Sequence, residues 1–158
     1  MPYEDAARTS FREAKLTSVG SPPATGEWGA LLSAPTIPVR ELARAQVPGV
    51  YLRRHDGQAV YVGMATRLRG RAWNKHLGGG VSLSGSSLRR NVCELLFGIP
   101  PNITGRPTRQ KITTEQAAAI RDWLLACELS WQSCATVLEA DQLERRLRAE
   151  FLPALNRV

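Results

Sequence analysis

Between residues 48 and 64 the chain alternates in character with a period of two on either side of Asp56-Gly57. Val50, Leu52, Val60, Val62 and Met64 carry even numbers, whereas Tyr51, Arg53, His55, Tyr61 and Gly63 carry odd ones. Neighbouring side chains of a strand point to opposite faces, so a one-residue slip between paired strands exchanges the faces. Two strands joined at Asp56-Gly57 keep the apolar set together only when paired residue numbers have an even sum. A two-residue turn would pair Tyr51 with Val62 and mix the two sets. A loop of about three residues, with Gly57 in the left-handed region, pairs Tyr51 with Tyr61 and is the expected hairpin. Both tyrosines then share the polar face.

The remaining elements follow from capping and breaking signals. Thr66 suits the cap of a helix over 66–77, with Arg67, Arg71 and Lys75 as a basic stripe and glycines after it. Ser86 or Ser87 opens a second helix that reaches residue 96 and stops at Gly98, Pro100 and Pro101. A third helix is expected over 114–127, a strand over 129–137 and a last helix over 138–152, ended by Pro153. Ahead of the hairpin, residues 8–16 and 38–45 could form short helices, and 20–26 reads as loop. Strands and helices in this order predict an α+β sandwich, with a short antiparallel (mixed) three-stranded sheet flanked by helices. Residues 1–47 are expected to be an N-terminal extension packing on a core of 48–158.

A chain of 158 residues buries one core without disulfides or structural metal. No apolar run approaches the roughly 18 residues that span a bilayer, and residues 1–10 lack the apolar stretch of a signal peptide. A cytoplasmic protein is therefore expected. Cys93, Cys127 and Cys134 form no CxxC pair, and His55 and His76 stand far apart. The cysteines read as reduced and buried rather than zinc-binding. Charge is unevenly spread. Residues 67–111 hold nine of the 21 Lys and Arg but one of the 14 acids, Glu94, so the whole basic excess lies there. Such a concentration is a footprint of nucleic-acid binding, although solvated basic faces share it.

Several residues stand in a fixed order: Gly49-Val50-Tyr51, Tyr61-Val62-Gly63, Arg71 ten residues after the second tyrosine, and Glu144 nine residues before Pro153 and twelve before Asn156. This set resembles the GIY-YIG nuclease family over residues 48–158, with a basic insertion at about 78–113. The resemblance implies a GIY-YIG-like sandwich and a single-metal endonuclease that hydrolyses DNA phosphodiesters, with RNA left open. It implies that Tyr51, or else Tyr61, is general base to water and that Arg71 stabilises the phosphoryl transition state. Glu144 would hold Mg2+ (or Mn2+), and Gly49, Gly63 and Asn156 would support the site.

His76 matches a histidine found after the arginine in many members. It would orient Tyr51 or touch phosphate, and bonding a helix-end carbonyl is the competing reading. Glu144 equally fits an i+4 pair with Arg148. Met64 stands where the excision-repair incision nucleases carry a lysine. Arg53, Arg69, Lys75 and His76 are the cations that could replace it, because a free tyrosine with a pKa of about 10 needs help to accept a proton.

Arg67, Arg69, Lys75, Arg89, Arg90, Arg106, Arg109 and Lys111 are the candidate nucleic-acid contacts, positioning a backbone without reading its sequence. No sequence-recognition module is visible. Two readings compete with the nuclease: a non-catalytic nucleic-acid-binding module of the same fold, and a protein-interaction domain whose basic loop binds an acidic partner.

Overall fold

The computed structural model describes residues 15–38, 47–66 and 80–156. The hairpin is formed by β2 (Gly49–His55) and β3 (Gln58–Ala65). Its turn is shorter than expected: His55 pairs with Gln58, and both turn residues are left-handed, Asp56 at φ 50° and Gly57 at φ 77°. A two-residue turn of this kind matches the right-handed twist of the strands. Alone it would impose the register that mixes the two side-chain sets. A β-bulge corrects this. Arg54 pairs with Ala59 but Arg53 pairs with Tyr61, so Val60 is an extra residue on β3. Beyond it the pairs are Leu52 with Val62 and Tyr51 with Gly63, again of even sum. Tyr51 therefore faces Gly63 across the strands, not Tyr61, which is its diagonal neighbour.

β4 (Glu128–Ser133) pairs with β2 on the side away from β3, and a three-residue strand, β1 (Thr36–Pro38), pairs with β4. The order is β1-β4-β2-β3, antiparallel throughout. The α+β sandwich is as expected, with one additional edge strand. β4 ends earlier than residue 137 because the Thr136 hydroxyl accepts the Glu139 N–H and starts the last helix at Val137. Cap chemistry thus overrides the alternation that Ala135 and Val137 seemed to continue.

Helices cover both faces of the sheet. The tyrosine face lies beneath α2 (Ser87–Phe97) and α4 (Thr114–Leu125), where Leu88, Val92, Ile120 and Leu124 pack with Tyr51, Val60 and Tyr61. A short α3 (Pro101–Thr104) links those two helices within the basic segment. The face expected to be polar is therefore buried. On the other face α5 (Val137–Glu150) brings Leu143 and Leu147 onto Val50, Leu52 and Val62. Each fully buried aliphatic or aromatic side chain contributes about 1.5–3 kcal/mol. The caps of α2 match the sequence: Ser86 accepts the Arg89 N–H and Gly98 closes the helix at φ 70°. At α4, Thr113 forms a capping box with Gln116.

Before the hairpin, α1 (Gly26–Ser33) packs beside α5. Trp28 is fully buried, its indole N–H donates to the Leu147 carbonyl at 2.8 Å, and its ring meets Phe151 edge-on at 5.6 Å. Arg146 grips Glu27 through two hydrogen bonds of 2.7 and 2.9 Å, and Arg54 donates to the Leu32 carbonyl. The helices expected over 38–45 and 66–77 lie outside the described residues, as does most of 8–16. No described helix is long and apolar enough to cross a membrane.

Replacing Trp28 by Ala removes a large core side chain and its hydrogen bond, and should cost about 3–5 kcal/mol in urea unfolding. The Glu27 carboxyl is held below its ordinary value of 4.5, chiefly by the Arg146 hydrogen bond. A depressed carboxylate contributes stability above its unfolded pKa and loses it as pH falls through the folded value. Glu27→Gln should therefore lower the melting temperature at neutral pH, and the difference from wild type should shrink in acid below the ordinary glutamate range.

Candidate active site

The four residues that frame the two tripeptides are fixed by close packing. A Cβ at Gly49 would stand 2.5 Å from the Gln132 carbonyl oxygen, so only glycine lets β2 approach β4 here. A Cβ at Gly63 would stand 2.6 Å from both Cζ and Oη of Tyr51. The Tyr51 ring thus lies across the strand boundary in the space a side chain at 63 would fill. Tyr61 packs against it with ring centroids 6.0 Å apart. Tyr51 is 0% exposed and Tyr61 6%.

Gly63 lies on β3, an edge strand of the described sheet, whose outward backbone groups need partners. Asn156 supplies them. Its Oδ1 accepts from the Val62 N–H and its Nδ2 donates to the Val62 carbonyl, each at 2.8 Å. The carboxamide therefore behaves as a one-residue strand one position from Gly63. Asn156 sits in a 3-10 turn (Ala154–Asn156) whose Leu155 carbonyl accepts from Asn91 of α2 at 2.8 Å. The spacing between Glu144 and Asn156 now has a physical meaning. Leu143 and Leu147 seat α5 on the sheet, and the chain after it returns to the β3 edge.

Glu144 stands between those two leucines in sequence, its side chain 18% exposed, with Oε1 accepting from Arg148 at 3.3 Å. The i+4 pairing foreseen as the competing reading is thus present. α5 lies on the face opposite the tyrosines, so Glu144 and Tyr51 approach the hairpin from different sides. Among the described residues no group of three or more His, Cys, Asp and Glu side chains clusters as a metal site. Cys93, Cys127 and Cys134 are free thiols, with Cys134 only half-buried, and burial pushes Cys127 up to about 12.

The basic candidates divide. Arg89 is buried, and its guanidinium donates to the carbonyls of Gly80 and Ser82. Arg90 donates to the carbonyls of Leu83 and Ser84 at 3.0 and 2.8 Å. Both arginines tie down the loop before α2. Arg106, Arg109 and Lys111 are exposed, on a loop closed by bonds from Arg109 N–H to the Gly105 carbonyl and from Gln110 N–H to the Ile103 carbonyl. Arg67, Arg69, Arg71, Lys75 and His76 lie outside the described residues. Arg53 joins the tyrosines instead. Its odd number had placed it on their face, but its burial was visible only once α2 and α4 covered that face.

A sheet with glycine-framed tyrosines at its hairpin, enclosed by helices, belongs to the class of small α+β domains. The model of the GIY-YIG catalytic domain matches residues 43–157, well over half of the chain, and the chain belongs to that family of nucleases. No curated protein and no solved structure matches it significantly.

Asn156→Leu would strand the buried Val62 N–H and carbonyl, at about 1–3 kcal/mol for each unsatisfied group. Urea unfolding should shift accordingly, and amide exchange at Val62 should accelerate. Gly63→Ala should displace the Tyr51 ring and cost about 1–3 kcal/mol, seen as a changed near-ultraviolet circular dichroism signal in a protein that remains folded.

Proposed function

We propose that this domain is a metal-dependent endonuclease that hydrolyses DNA phosphodiester bonds. The observation that carries this reading is the seating of Tyr51 over Gly63, beside Tyr61 and one residue from the Asn156 clasp. That packing gives Tyr51, Tyr61, Gly63 and Asn156 of the family signature each a defined physical task. Tyr51, once deprotonated, takes a proton from water. The water oxygen forms the new bond to phosphorus, the 3′ oxygen leaves with the old bond's electrons, and the tyrosine hydroxyl is regenerated. Arg71 offsets the charge that builds on phosphate, and His76 contacts phosphate or orients Tyr51.

Glu144 suits a hard divalent ion such as Mg2+ or Mn2+. It offers carboxylate oxygen, is partly shielded, and has a second oxygen beyond the one that meets Arg148. Magnesium keeps several waters and needs only one or two carboxylates, which fits a single ligand better than a zinc site. When bound, such an ion supplies positive charge to the phosphate and the leaving oxygen. Arg106, Arg109 and Lys111, with Arg67, Arg69 and Lys75, hold the nucleic-acid backbone. Arg89 and Arg90 support that surface by fixing the loop before α2.

A second reading, a nucleic-acid-binding module that does not cleave, is favoured by one observation: Tyr51 has no exposed surface at which to meet water. Incubation with plasmid and branched DNA in Mg2+ separates the two. Glu144→Gln and Tyr51→Phe should each lower cleavage by about 10²-fold or more while leaving DNA affinity nearly unchanged. Wild-type levels of cleavage in both variants would remove the assigned site. Reversing charge at Arg106, Arg109 and Lys111 together should weaken binding and flatten its dependence on salt by about 2–3 in logarithmic slope.

A further inference from the structure

Arg53 is 0% exposed and is among the largest fully buried side chains of the described chain. It lies directly opposite Tyr61 on β3 and two residues beyond Tyr51 on β2, so all three side chains leave the same face of the sheet. A guanidinium keeps its proton at any physiological pH, and placing it in a core is costly where an aliphatic side chain of similar volume would fill the space. Burial pushes the Arg53 pKa down, and Tyr51, then Cys127 and Tyr61, act against that. Among the described residues, other titratable groups on this side are Cys93 of α2, in the same cluster as the tyrosines, His55, stacked on Trp123 of α4 at 4.3 Å, and Asp56 in the turn, which acts on Cys127.

We propose that Arg53 is a positioning residue for the tyrosine pair, a buried fixed cation that stabilises the negative phenolate form of Tyr51. The proton that Tyr51 gives up to reach this form passes to solvent. The resulting phenolate is the species that accepts a proton from the attacking water, so this inference rests on the nuclease reading for its catalytic consequence. Its electrostatic content does not. Opposite charge in a poorly screened interior acts strongly over a few ångströms. The location also explains how a chain with Met64 beside its second tripeptide still brings a cation to the tyrosines: it comes from the facing strand, through the core.

The test is a phenolate titration by near-ultraviolet absorbance on the full chain, without metal or DNA. The Tyr51 contribution is isolated by subtracting Tyr51→Phe measured in the same background. With Arg53 intact, Tyr51 should titrate at least about one pH unit below its value in Arg53→Met, the scale expected of a nearby opposite charge. Arg53→Lys should fall between them, because a buried lysine loses its own charge more readily. The rising limb of the cleavage pH profile should move upward by the same amount. A midpoint for Tyr51 unchanged in folded Arg53→Met overturns the proposal. If that variant does not fold, an unchanged midpoint in Arg53→Lys does so. A shifted titration in a protein that cleaves nothing would reject the nuclease reading and keep the Arg53–Tyr51 coupling.

Discussion

The extra residue at Val60 reconciles two demands that the hairpin places on one register. Asp56-Gly57 favours a two-residue turn, and such a turn sets pairs of odd sum next to it. Strands buried on both faces require pairs of even sum, or apolar and polar side chains are scrambled. The bulge satisfies both by leaving one β3 residue unmatched opposite the Arg53–Arg54 step. Its effect on the faces is visible on either side. Val62 lies with Leu52 against α5, whereas Val60 lies with the tyrosines beneath α2 and α4, and Ala59 returns to the α5 face. Tyr61 shares the face of Tyr51 and Arg53 because of this one irregularity.

Once that register is set, the rest of the site is a matter of edges and anchors. Tyr51 crosses toward β3 because position 63 has no side chain, and this brings its hydroxyl close to the sheet edge. A bare edge there would leave Val62 unsatisfied, and Asn156 closes it with a carboxamide that presents one acceptor and one donor. For Asn156 to arrive, the chain must leave α5, turn at Pro153 and come back, while Trp28 and Glu27 hold the end of that helix from outside. α1 lies beyond the span matched by the GIY-YIG domain, yet it shares a core with Leu143 and Leu147. The helix that carries Glu144 is thus held both by the sheet and by the N-terminal segment packed beside it.

Local chemistry made much of this legible in the sequence. Ser86 and Gly98 bound α2 because each acts through its own backbone neighbourhood. The parity of residues 50–64 carried the even sum of the central pairs for the same reason. The bulge was not legible, because turn preference and face pattern disagreed and sequence alone does not rank them. α1 was missed because GEWGALLS offers no clean apolar stripe, and its stability comes from where Trp28 lands rather than from its own pattern. Likewise, nothing in the neighbourhood of Arg53 announced that its face would be covered. That outcome belongs to α2 and α4, more than thirty residues away.

The same limit bears on charge. A basic run in sequence counts guanidinium groups without saying what they neutralise or bond. Arg89 and Arg90 contribute to the local excess, but Nη1 and Nη2 of Arg89 and Nη1 of Arg90 donate to carbonyls of residues 80–84, so both side chains are tied to that loop. The exposed trio on the loop before α4 retains free donors and rests on a backbone closed by its own hydrogen bonds. Arg53 is the opposite extreme, a cation removed from solvent whose field acts on its immediate neighbours. Position in the fold, not sequence proximity to the basic segment, therefore decides which of the described cations stay exposed on a loop and which lies buried on the face of the tyrosines.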